Sequence, residues 1–211
     1  MLPDLIRFWG ASPSSGAALP WVGLVFILSY FFGSIPSGIL VTKAFGLGNL
    51  KSIGSGNIGA TNVLRTGSKK AALLTLFLDA SKGIIAVVLT EKYLGITAAH
   101  FAALGVFCGH LFSIFLFFKG GKGVATFLGI LLVLNVYLMI TVASFWLITA
   151  WKFKYSSLAS LISSSLSIII MLLLEDISFM WLLISMVLLI WFRHRKNVMR
   201  LLAGKESKIN L

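Results

Sequence analysis

Two short polar stretches contain the residue types from which a phosphate-binding site can be built. The first, GSGNIGATNVLR, covers residues 54–65, and the second, FKGGKGVAT, covers residues 118–126. Glycines allow a backbone to turn sharply and bring its N–H groups close to a ligand. Rows of N–H groups backed by a helix N-terminus attract anions, and arginine can bind a phosphate through two parallel hydrogen bonds. The two stretches therefore predict anion binding.

The candidate ligands in these stretches supply backbone N–H groups, neutral side-chain donors or positive charge. In the first stretch they are Gly54, Ser55, Asn57, Gly59, Thr61, Asn62 and Arg65, and in the second they are Lys119, Gly120, Gly121, Lys122 and Gly123. A metal site and a cofactor are not expected, because the sequence has no His/Cys/Asp/Glu cluster with ligand spacing. The GGKG segment also falls short of a nucleotide P-loop, which needs G-x-x-x-x-G-K-[ST] after a strand.

Two further polar stretches lie nearer the C-terminus. They are YSSL at residues 155–158 and RHRKNVMRLLAGKE at residues 193–206. His194 in the second of these has two interpretations. It is either one more member of a basic segment that follows an apolar run, or a general base, for which an ordinary pKa of ~6.5 is suitable.

The composition places most of the chain in lipid. Of the 211 residues, 58% are hydrophobic and 11% are charged, and the mean hydropathy is +0.99. Soluble domains carry about 25% charged residues, so this chain could not cover a globule with polar surface. The net charge is +12, but the cations adjoin apolar spans instead of lining a folded face, so nucleic-acid binding is not expected. We expect one integral-membrane domain at residues 19–211, preceded by an extension at residues 1–18 that lacks a secretory signal pattern.

Four groups of cations predict the topology, because lysine and arginine favour the cytoplasmic side of a membrane. The groups lie at residues 43–70, 119–122, 152–154 and 193–208. Between them we expect spans at residues 19–41, 71–90, 98–118, 158–174 and 177–192, with outer turns at residues 91–95 and 175–176. Residues 123–151 have lysines at both ends, so we expect two short helices that turn near Asn135, and the alternative is one long helix. The predicted fold class is an all-α polytopic membrane protein with seven transmembrane helices, the N-terminus outside and the C-terminus inside.

One pair of opposite charges falls within the second span. Asp79 and Lys82 are three residues apart, so they lie on one face of a helix. Charges within a span are costly and usually pair inside the bundle. A structural salt bridge is the first interpretation, and contact of Lys82 with a substrate phosphate is the alternative.

Read together, the motifs resemble a known family. The segments GSIPSGILVTK, GSGNIGATNVLR, DASKG, GHLFSIFLFFKGGKGVAT, YSSL and RHRKNVMRLLAGKE occur in order from residue 33 to residue 206. They are similar to the bacterial membrane glycerol-3-phosphate acyltransferases that use acyl-phosphate as donor, the PlsY family. The resemblance implies transfer of an acyl group to the 1-hydroxyl of glycerol 3-phosphate, giving lysophosphatidic acid and phosphate. It also implies a multi-pass protein of the bacterial cytoplasmic membrane, in contact with membrane lipid, whose active site faces the cytoplasm.

The resemblance also implies roles for individual residues. The important serine and arginine of the first motif correspond to Ser55 and Arg65, and the glycine-rich phosphate loop corresponds to residues 120–123, with Lys122 among the catalytic candidates. The histidine and asparagine of the last motif correspond to His194 and Asn197, and a structural glutamate to Glu206. The family's second serine element corresponds to either Ser156 or Ser157. Many members carry proline where this chain has Ser113, which leaves a kink in the third span in question.

Other functional classes fit the sequence less well. A transporter should show internal repeats and polar residues at mid-membrane on several helices. A lipid-binding scaffold would explain the cations but not the glycines and asparagines. Acyl-CoA-dependent acyltransferases with a His-x4-Asp pair are not expected, because no aspartate follows any of the three histidines at that spacing.

Overall fold

Helices account for all the regular secondary structure in residues 19–174 and 177–209, which are the residues that the computed structural model describes. In chain order they are α1 Leu19–Gly33, α2 Ser37–Ala44, α3 Ala60–Leu64, α4 Lys69–Leu94, α5 Ile96–Leu111, α6 Val124–Leu134, α7 Val136–Phe153, α8 Ser156–Leu173 and α9 Met180–Leu202. Two 3₁₀ turns, Leu50–Ser52 and Ile114–Leu116, lie between them. The all-α prediction agrees with these residues. The predicted extension at residues 1–18 and the predicted outer turn at Glu175 and Asp176 lie outside the described ranges.

Five helical stretches of the described chain are long and apolar enough to cross a bilayer. They are Trp21–Ala44, Lys69–Leu94, Ile96–Leu116, Val136–Phe153 and Ser156–Leu173. Helix α6 is apolar but has only 11 residues. Helix α9 has 23 residues, and its second half carries the cations of the RHRKNVMR segment. The two further spans that the sequence predicts would have to be α6 and the first half of α9.

The segment between residues 123 and 151 forms two helices that meet at Asn135. Helix α6 ends at Leu134, and Asn135 has an extended backbone with φ −158° and ψ 97°. Its side-chain oxygen accepts the N–H of Leu138 at 2.9 Å and so caps the amino end of α7. The predicted turn near Asn135 is therefore present, and the alternative of one continuous helix is not.

Close helix contacts through glycine hold the bundle together. A Cβ added at Gly105 of α5 would stand 2.4 Å from the Phe26 carbonyl oxygen of α1, and one at Gly109 would stand 2.1 Å from the Tyr30 carbonyl oxygen. Helices α4 and α6 meet in the same way, since a Cβ added at Gly129 would stand 2.1 Å from the Ala80 carbonyl oxygen. Small residues permit such approach where helices pack within a bilayer.

The third predicted span bends, and it carries Ser113 where the resemblance leads us to expect proline. Helix α5 ends at Leu111, and the chain continues through Phe112 into the 3₁₀ turn Ile114–Leu116. The buried hydroxyl of Ser113 donates to the Ser34 carbonyl, which fastens the bend to the end of α1. Proline is therefore unnecessary for this kink.

The intramembrane charges of α4 form a buried ion pair. The Nζ atom of Lys82 lies 2.8 Å from Oδ1 of Asp79 and also donates to the Ile35 carbonyl at 2.6 Å. Nδ1 of His110 lies 3.6 Å from the same Asp79 oxygen. The pair links α4 to α5 and to the segment after α1.

Candidate functional site

One cavity of about 590 Å³ brings together side chains from all four of the predicted polar stretches. We refer to residues 54–65 as the first loop, to residues 119–123 as the second loop and to residues 203–209 as the C-terminal segment. The predicted residues that line the cavity are Ser55, Asn57, Gly59, Thr61, Asn62, Arg65, Asp79, Lys122, Gly123, Ser156, Ser157, His194, Asn197 and Glu206. Apolar side chains also line the cavity, and we refer to them as its apolar wall: Leu73, Leu76, Leu128, Ala143, Trp146 and Leu147.

Asn62 organises the first loop from within. Its buried side-chain oxygen accepts the N–H of Ser55 at 3.1 Å and the Nη1 of Arg65 at 3.4 Å. Its amide nitrogen donates to the Leu50 carbonyl at 3.0 Å, which ties the loop to the preceding 3₁₀ turn. The Ser55 hydroxyl lies 3.4 Å from the same Asn62 oxygen and accepts the N–H of Asn57 at 3.4 Å. Asn62 therefore serves chiefly as the hydrogen-bonding centre of the loop.

Arg65 extends from the first loop to the C-terminal segment. Its Nη2 donates to the hydroxyl of Ser207 at 2.7 Å and to the Ser207 carbonyl at 3.3 Å. Gly54 lies beneath it in the left-handed region, with φ +52°, and a Cβ there would stand 2.6 Å from Arg65 Cδ. Gly54 thus makes room for the arginine, which lies at the cavity wall.

The second loop is held by its backbone. The N–H of Gly120 donates to the Leu111 carbonyl at 3.2 Å, and the N–H of Gly121 donates to the His110 carbonyl at 2.9 Å. Both N–H groups are thus committed to the end of α5, and both glycines are buried. These two glycines and the exposed Lys119 lie outside the cavity. Of the residues predicted to bind phosphate in this loop, only Lys122 and Gly123 line the cavity.

Two longer helices direct their amino ends at the cavity. Helix α6 begins after Gly123, whose φ of +86° turns the chain sharply, and Val124 and Ala125 of its first turn line the cavity. Helix α8 begins with Ser156 and Ser157. Within the described residues, neither helix has a side chain that caps its first turn. The exposed N–H groups and the positive dipole ends of both helices therefore favour an anion here.

The structure separates the two candidate serines of α8. The Ser156 hydroxyl lies 3.1 Å from the hydroxyl of Thr61, which belongs to the first loop. Ser157 is buried and donates to Oε1 of Glu206 at 2.7 Å. The same oxygen accepts from Asn197 Nδ2 at 2.6 Å.

Glu206 joins three elements at the end of the cavity. Besides Ser157 on α8 and Asn197 on α9, Arg200 of α9 donates from Nε to its Oε2 at 2.7 Å, so Glu206 ties the C-terminal segment to both helices. These three hydrogen bonds lower the pKa of the Glu206 carboxyl, against an opposing effect of burial. The carboxylate is therefore already satisfied by the protein.

His194 is buried on α9, and its ring orientation is fixed. Nδ1 lies 2.9 Å from the Ile190 carbonyl. Because a carbonyl oxygen only accepts, Nδ1 carries the proton in the neutral ring and Nε2 is left as an acceptor. His194 lines the cavity.

Lys122 is the cation most affected by its surroundings. Burial lowers the pKa of its amine to about 8, and the neighbouring Arg200, Arg65 and Arg193 add to that effect, while Glu206 opposes it. A bound phosphate would restore the full charge of this lysine. The excess of positive charge around Lys122 therefore favours an anionic ligand.

Several cavity residues have no counterpart among the predicted ones. They are Lys69, His110, Trp146, Ser160 and Ser207. Trp146 donates from its indole N–H to Ser160 Oγ at 3.0 Å, within an apolar run whose composition indicates only membrane burial. Ser207 follows Glu206 directly, and that adjacency is the one signal by which it could have been found. The described chain contains no group of three or more His, Cys, Asp or Glu side chains that could hold a metal.

The comparisons with known proteins agree on one family. The family described as "Glycerol-3-phosphate acyltransferase" matches residues 23–204. A glycerol-3-phosphate acyltransferase of Jannaschia sp. (strain CCS1) is 50% identical over 188 residues, covering 89% of this chain and 93% of that protein. Its counterpart in Dinoroseobacter shibae is 47% identical over 188 residues, with coverage of 89% and 93%.

A solved structure shares the fold. The crystal structure of PlsY (YgiH), an integral membrane glycerol 3-phosphate acyltransferase, in its glycerol 3-phosphate form superimposes with a TM-score of 0.83 at 36% identity, covering 92% of this chain and 96% of that one. Its lysophosphatidic acid form gives a TM-score of 0.80 at 35% identity, with the same coverage of 92% and 96%.

Proposed function

This chain belongs to the glycerol-3-phosphate acyltransferase family, and from that premise we propose that it transfers a fatty acyl group from acyl-phosphate to the 1-hydroxyl of sn-glycerol 3-phosphate. The products are lysophosphatidic acid and inorganic phosphate, and the reaction is the first acylation of phospholipid biosynthesis. The observation that carries the proposal is a single cavity with a cationic, N–H-rich wall and an apolar wall. Such a cavity fits two phosphorylated substrates of which one has a fatty tail.

The polar wall suits a pair of phosphates. Lys122 and Arg65 supply positive charge, and the amino ends of α6 and α8 supply N–H groups. The carboxylates that line the cavity are both occupied, Asp79 by Lys82 and Glu206 by Arg200. The wall can therefore hold two anions side by side against their repulsion, and such positioning contributes ~7 kcal/mol or more to lowering a barrier.

The apolar wall suits the acyl chain. Leu73, Leu76 and Leu147 are exposed on the bundle surface as well as lining the cavity. An acyl chain that lies against them can pass between the cavity and the bilayer without crossing a polar barrier. The lipid product leaves by the same lateral route.

The chemistry requires little beyond positioning because an acyl-phosphate is already activated. The 1-hydroxyl oxygen attacks the acyl carbonyl carbon, the carbon–oxygen bond to phosphate breaks, and phosphate leaves with both bonding electrons. Ser55 or a backbone N–H donates to the oxygen that develops negative charge. Lys122 stabilises the departing phosphate, and Arg65 holds the acceptor.

The proton of the attacking hydroxyl has two possible acceptors, His194 and the phosphate of a substrate. Nε2 of His194 is the acceptor atom of a ring whose orientation is set by the Ile190 carbonyl. We favour a binding role for His194, with its neighbour Asn197 held by Glu206. The His194→Gln variant tests this assignment across pH, and retention of half the wild-type rate would remove His194 from any chemical role.

For the serines of α8, we propose that Ser156 contacts substrate and that Ser157 holds Glu206. The contact between Ser156 and Thr61 leaves hydrogen-bonding capacity on both hydroxyls, whereas Ser157 is engaged with the carboxylate.

For the topology, we propose seven crossings of the bacterial cytoplasmic membrane, with the N-terminus outside and the active site facing the cytoplasm. Helix α9 supplies one crossing beyond the five long apolar stretches, and the 11-residue α6 supplies the other as a short crossing shielded by its neighbours. The basic half of α9, the second loop and Lys154 then all lie on the cytoplasmic side.

The deciding experiment tests the acyl donor. Purified protein is given acyl-phosphate, acyl-CoA and acylated acyl carrier protein in turn, each with glycerol 3-phosphate, and lysophosphatidic acid is measured. We expect turnover with acyl-phosphate alone, and a kcat/KM about 10²- to 10³-fold lower with the Lys122→Met variant. Equal turnover with acyl-CoA would overturn the proposed donor, and absence of product with every donor would overturn the proposed reaction.

A further inference from the structure

Arg193 makes contacts that the proposed reaction does not use. The residue lies on α9 immediately before His194, and its guanidinium donates from Nη2 to the Gly120 carbonyl at 2.6 Å and from Nε to the Gly121 carbonyl at 3.0 Å. Its central carbon lies 5.5 Å from the centre of the Phe112 ring, at the end of α5. The two hydrogen bonds join the second loop to α9, although Arg193 lies 73 residues after Gly120 and 72 residues after Gly121 in the sequence.

The two glycines are therefore fixed on both sides of their peptide groups. Their N–H groups donate to the Leu111 and His110 carbonyls at the end of α5, and their carbonyls accept from Arg193 on α9. The ring of His110 leaves no further space, since a Cβ on Gly121 would stand 2.2 Å from its Nε2. These hydrogen bonds and the packing of His110 hold loop residues 120 and 121 in this conformation.

Lys122 follows this fixed pair directly, and the amino end of α6 begins two residues later. We infer that Arg193 is a positioning residue, which acts through the Gly120 and Gly121 carbonyls to place the Lys122 amine and the first turn of α6 against the phosphate that leaves the acyl donor. The inference rests on the proposed function for the identity of that group. The contacts of Arg193 with the loop do not depend on it.

The planar guanidinium of arginine suits simultaneous hydrogen bonding to the Gly120 and Gly121 carbonyls. Two carbonyls on consecutive residues present acceptors that one guanidinium can reach with separate N–H groups. A lysine would keep the positive charge but could not hold both acceptors in the same fixed geometry. Charge and geometry can therefore be separated by substitution.

Arg195 provides a matched control for charge. It is exposed, donates to the Phe192 carbonyl at 3.1 Å and lies over the Phe192 ring at 4.4 Å. Its replacement by glutamine removes the same charge from the same helix without touching the second loop.

The test compares Arg193→Lys, Arg193→Gln and Arg195→Gln in the wild-type assay with acyl-phosphate and glycerol 3-phosphate. We expect kcat to fall by roughly 10- to 100-fold in both Arg193 variants, because a displacement near 1 Å is enough for such a loss. The KM for glycerol 3-phosphate should change much less, and Arg195→Gln should match the wild type. A fully active Arg193→Lys protein would show that only charge matters and would overturn the inference.

Chemical rescue gives a second readout that a general loss of stability would not produce. In Arg193→Ala, guanidinium or methylguanidinium ion at non-denaturing millimolar concentration should restore part of kcat, whereas ammonium ion should not. The double variant with Lys122→Met should show no rescue. Equal effects of guanidinium and ammonium would contradict a geometric role.

Amide hydrogen exchange separates failure of this inference from failure of the proposed function. The N–H groups of Gly120 and Gly121 should exchange faster in Arg193→Lys than in Arg195→Gln, with no substrate present. Unchanged exchange would overturn the role of Arg193 even if the enzyme turned over. If the wild type gave no product but the exchange difference appeared, the reaction would be wrong and the positioning role would stand.

Discussion

The two glycine-rich loops look alike in sequence, but the first is held by a side chain of its own and the second is held by neighbouring helices. In the first loop, a side chain is the organiser, since Asn62 binds Ser55, Arg65 and the Leu50 carbonyl. In the second loop, the backbone is anchored from outside, by α5 on one side and Arg193 on the other. The first loop consequently presents many polar side chains to the cavity, whereas the second presents one lysine and the start of a helix.

The difference shows that a glycine-rich segment can serve a ligand without touching it. Gly120 and Gly121 are glycines because neighbouring groups occupy the space of a Cβ, 2.2 Å from the His110 carbonyl in one case and from the His110 ring in the other. Ser55 and Thr61 are polar because they face the cavity. The following predictions test this contrast, beginning with the largest effect.

Lys122 should be the most sensitive position of the second loop. Replacing it with methionine removes the one cation that this loop places in the cavity, and we expect kcat/KM to fall by about 10²- to 10³-fold, as when a charge-stabilising donor is lost. Lys119→Met is the control, because Lys119 is exposed and outside the cavity. Equal losses of kcat/KM in the two variants, measured by steady-state kinetics, would contradict this role of Lys122.

Gly121→Ala should disturb the second loop through packing alone. The new methyl group must displace the His110 ring, and overpacking of this kind costs about 1–3 kcal/mol. We expect a lower unfolding temperature in detergent and roughly a tenfold loss of kcat. Gly23→Ala on α1 is the control, since nothing lies within 4 Å of the added Cβ. A fully active and stable Gly121→Ala protein would disprove the tight anchoring described here.

Asn62→Ala should loosen the first loop without removing a charge. It removes the acceptor of the half-buried Ser55 N–H and one of the two donors to the Leu50 carbonyl, which also accepts from Ile53, and each lost hydrogen bond costs about 0.5–1.5 kcal/mol. We expect KM for glycerol 3-phosphate to rise several-fold, as Arg65 also loses a contact. Asn49→Ala, whose side chain accepts only the exposed Lys51 N–H, should change KM by less than about twofold. Equal KM values for the two variants would argue against Asn62 as the organiser.

The smallest effect concerns pH. Because burial lowers the pKa of Lys122 to about 8, kcat/KM should be halved near pH 8 and should decline further as the amine loses its proton. Below that pH the lysine is charged and the rate should be flat with respect to this group. Lys122→Arg should extend the plateau upward, because a guanidinium stays charged. A wild-type profile that remains level to pH 10, after correction for spontaneous hydrolysis of the donor, would refute the assignment.

The sequence was sufficient for features that depend on local pattern. Lysines at both ends of residues 123–151 and an asparagine between them predicted the break at Asn135, which the Leu138 cap confirms. Apolar runs predicted the long helices, and their flanking cations predicted that the polar stretches share one end of the bundle.

Features that depend on how distant elements meet could not be predicted from the sequence. Arg193 reads as one more cation in RHRK until α9 is placed beside the second loop. Ser156 and Ser157 are adjacent on the first turn of α8, so only the rotation of that helix decides which faces Thr61 and which faces Glu206. The commitment of the Gly120 and Gly121 N–H groups to α5 likewise follows from tertiary packing.

The short helix α6 has a consequence for the depth of the site. Its 11 residues rise about 16 Å, roughly half the hydrocarbon thickness of a bilayer. Phe127, Ile130 and Leu131 are buried against neighbouring helices, and Gly129 is locked against α4. Its vertical register is consequently dictated by protein and not by surrounding lipid. A change in bilayer thickness would be taken up by tilt of the outer helices while the reaction centre keeps its level.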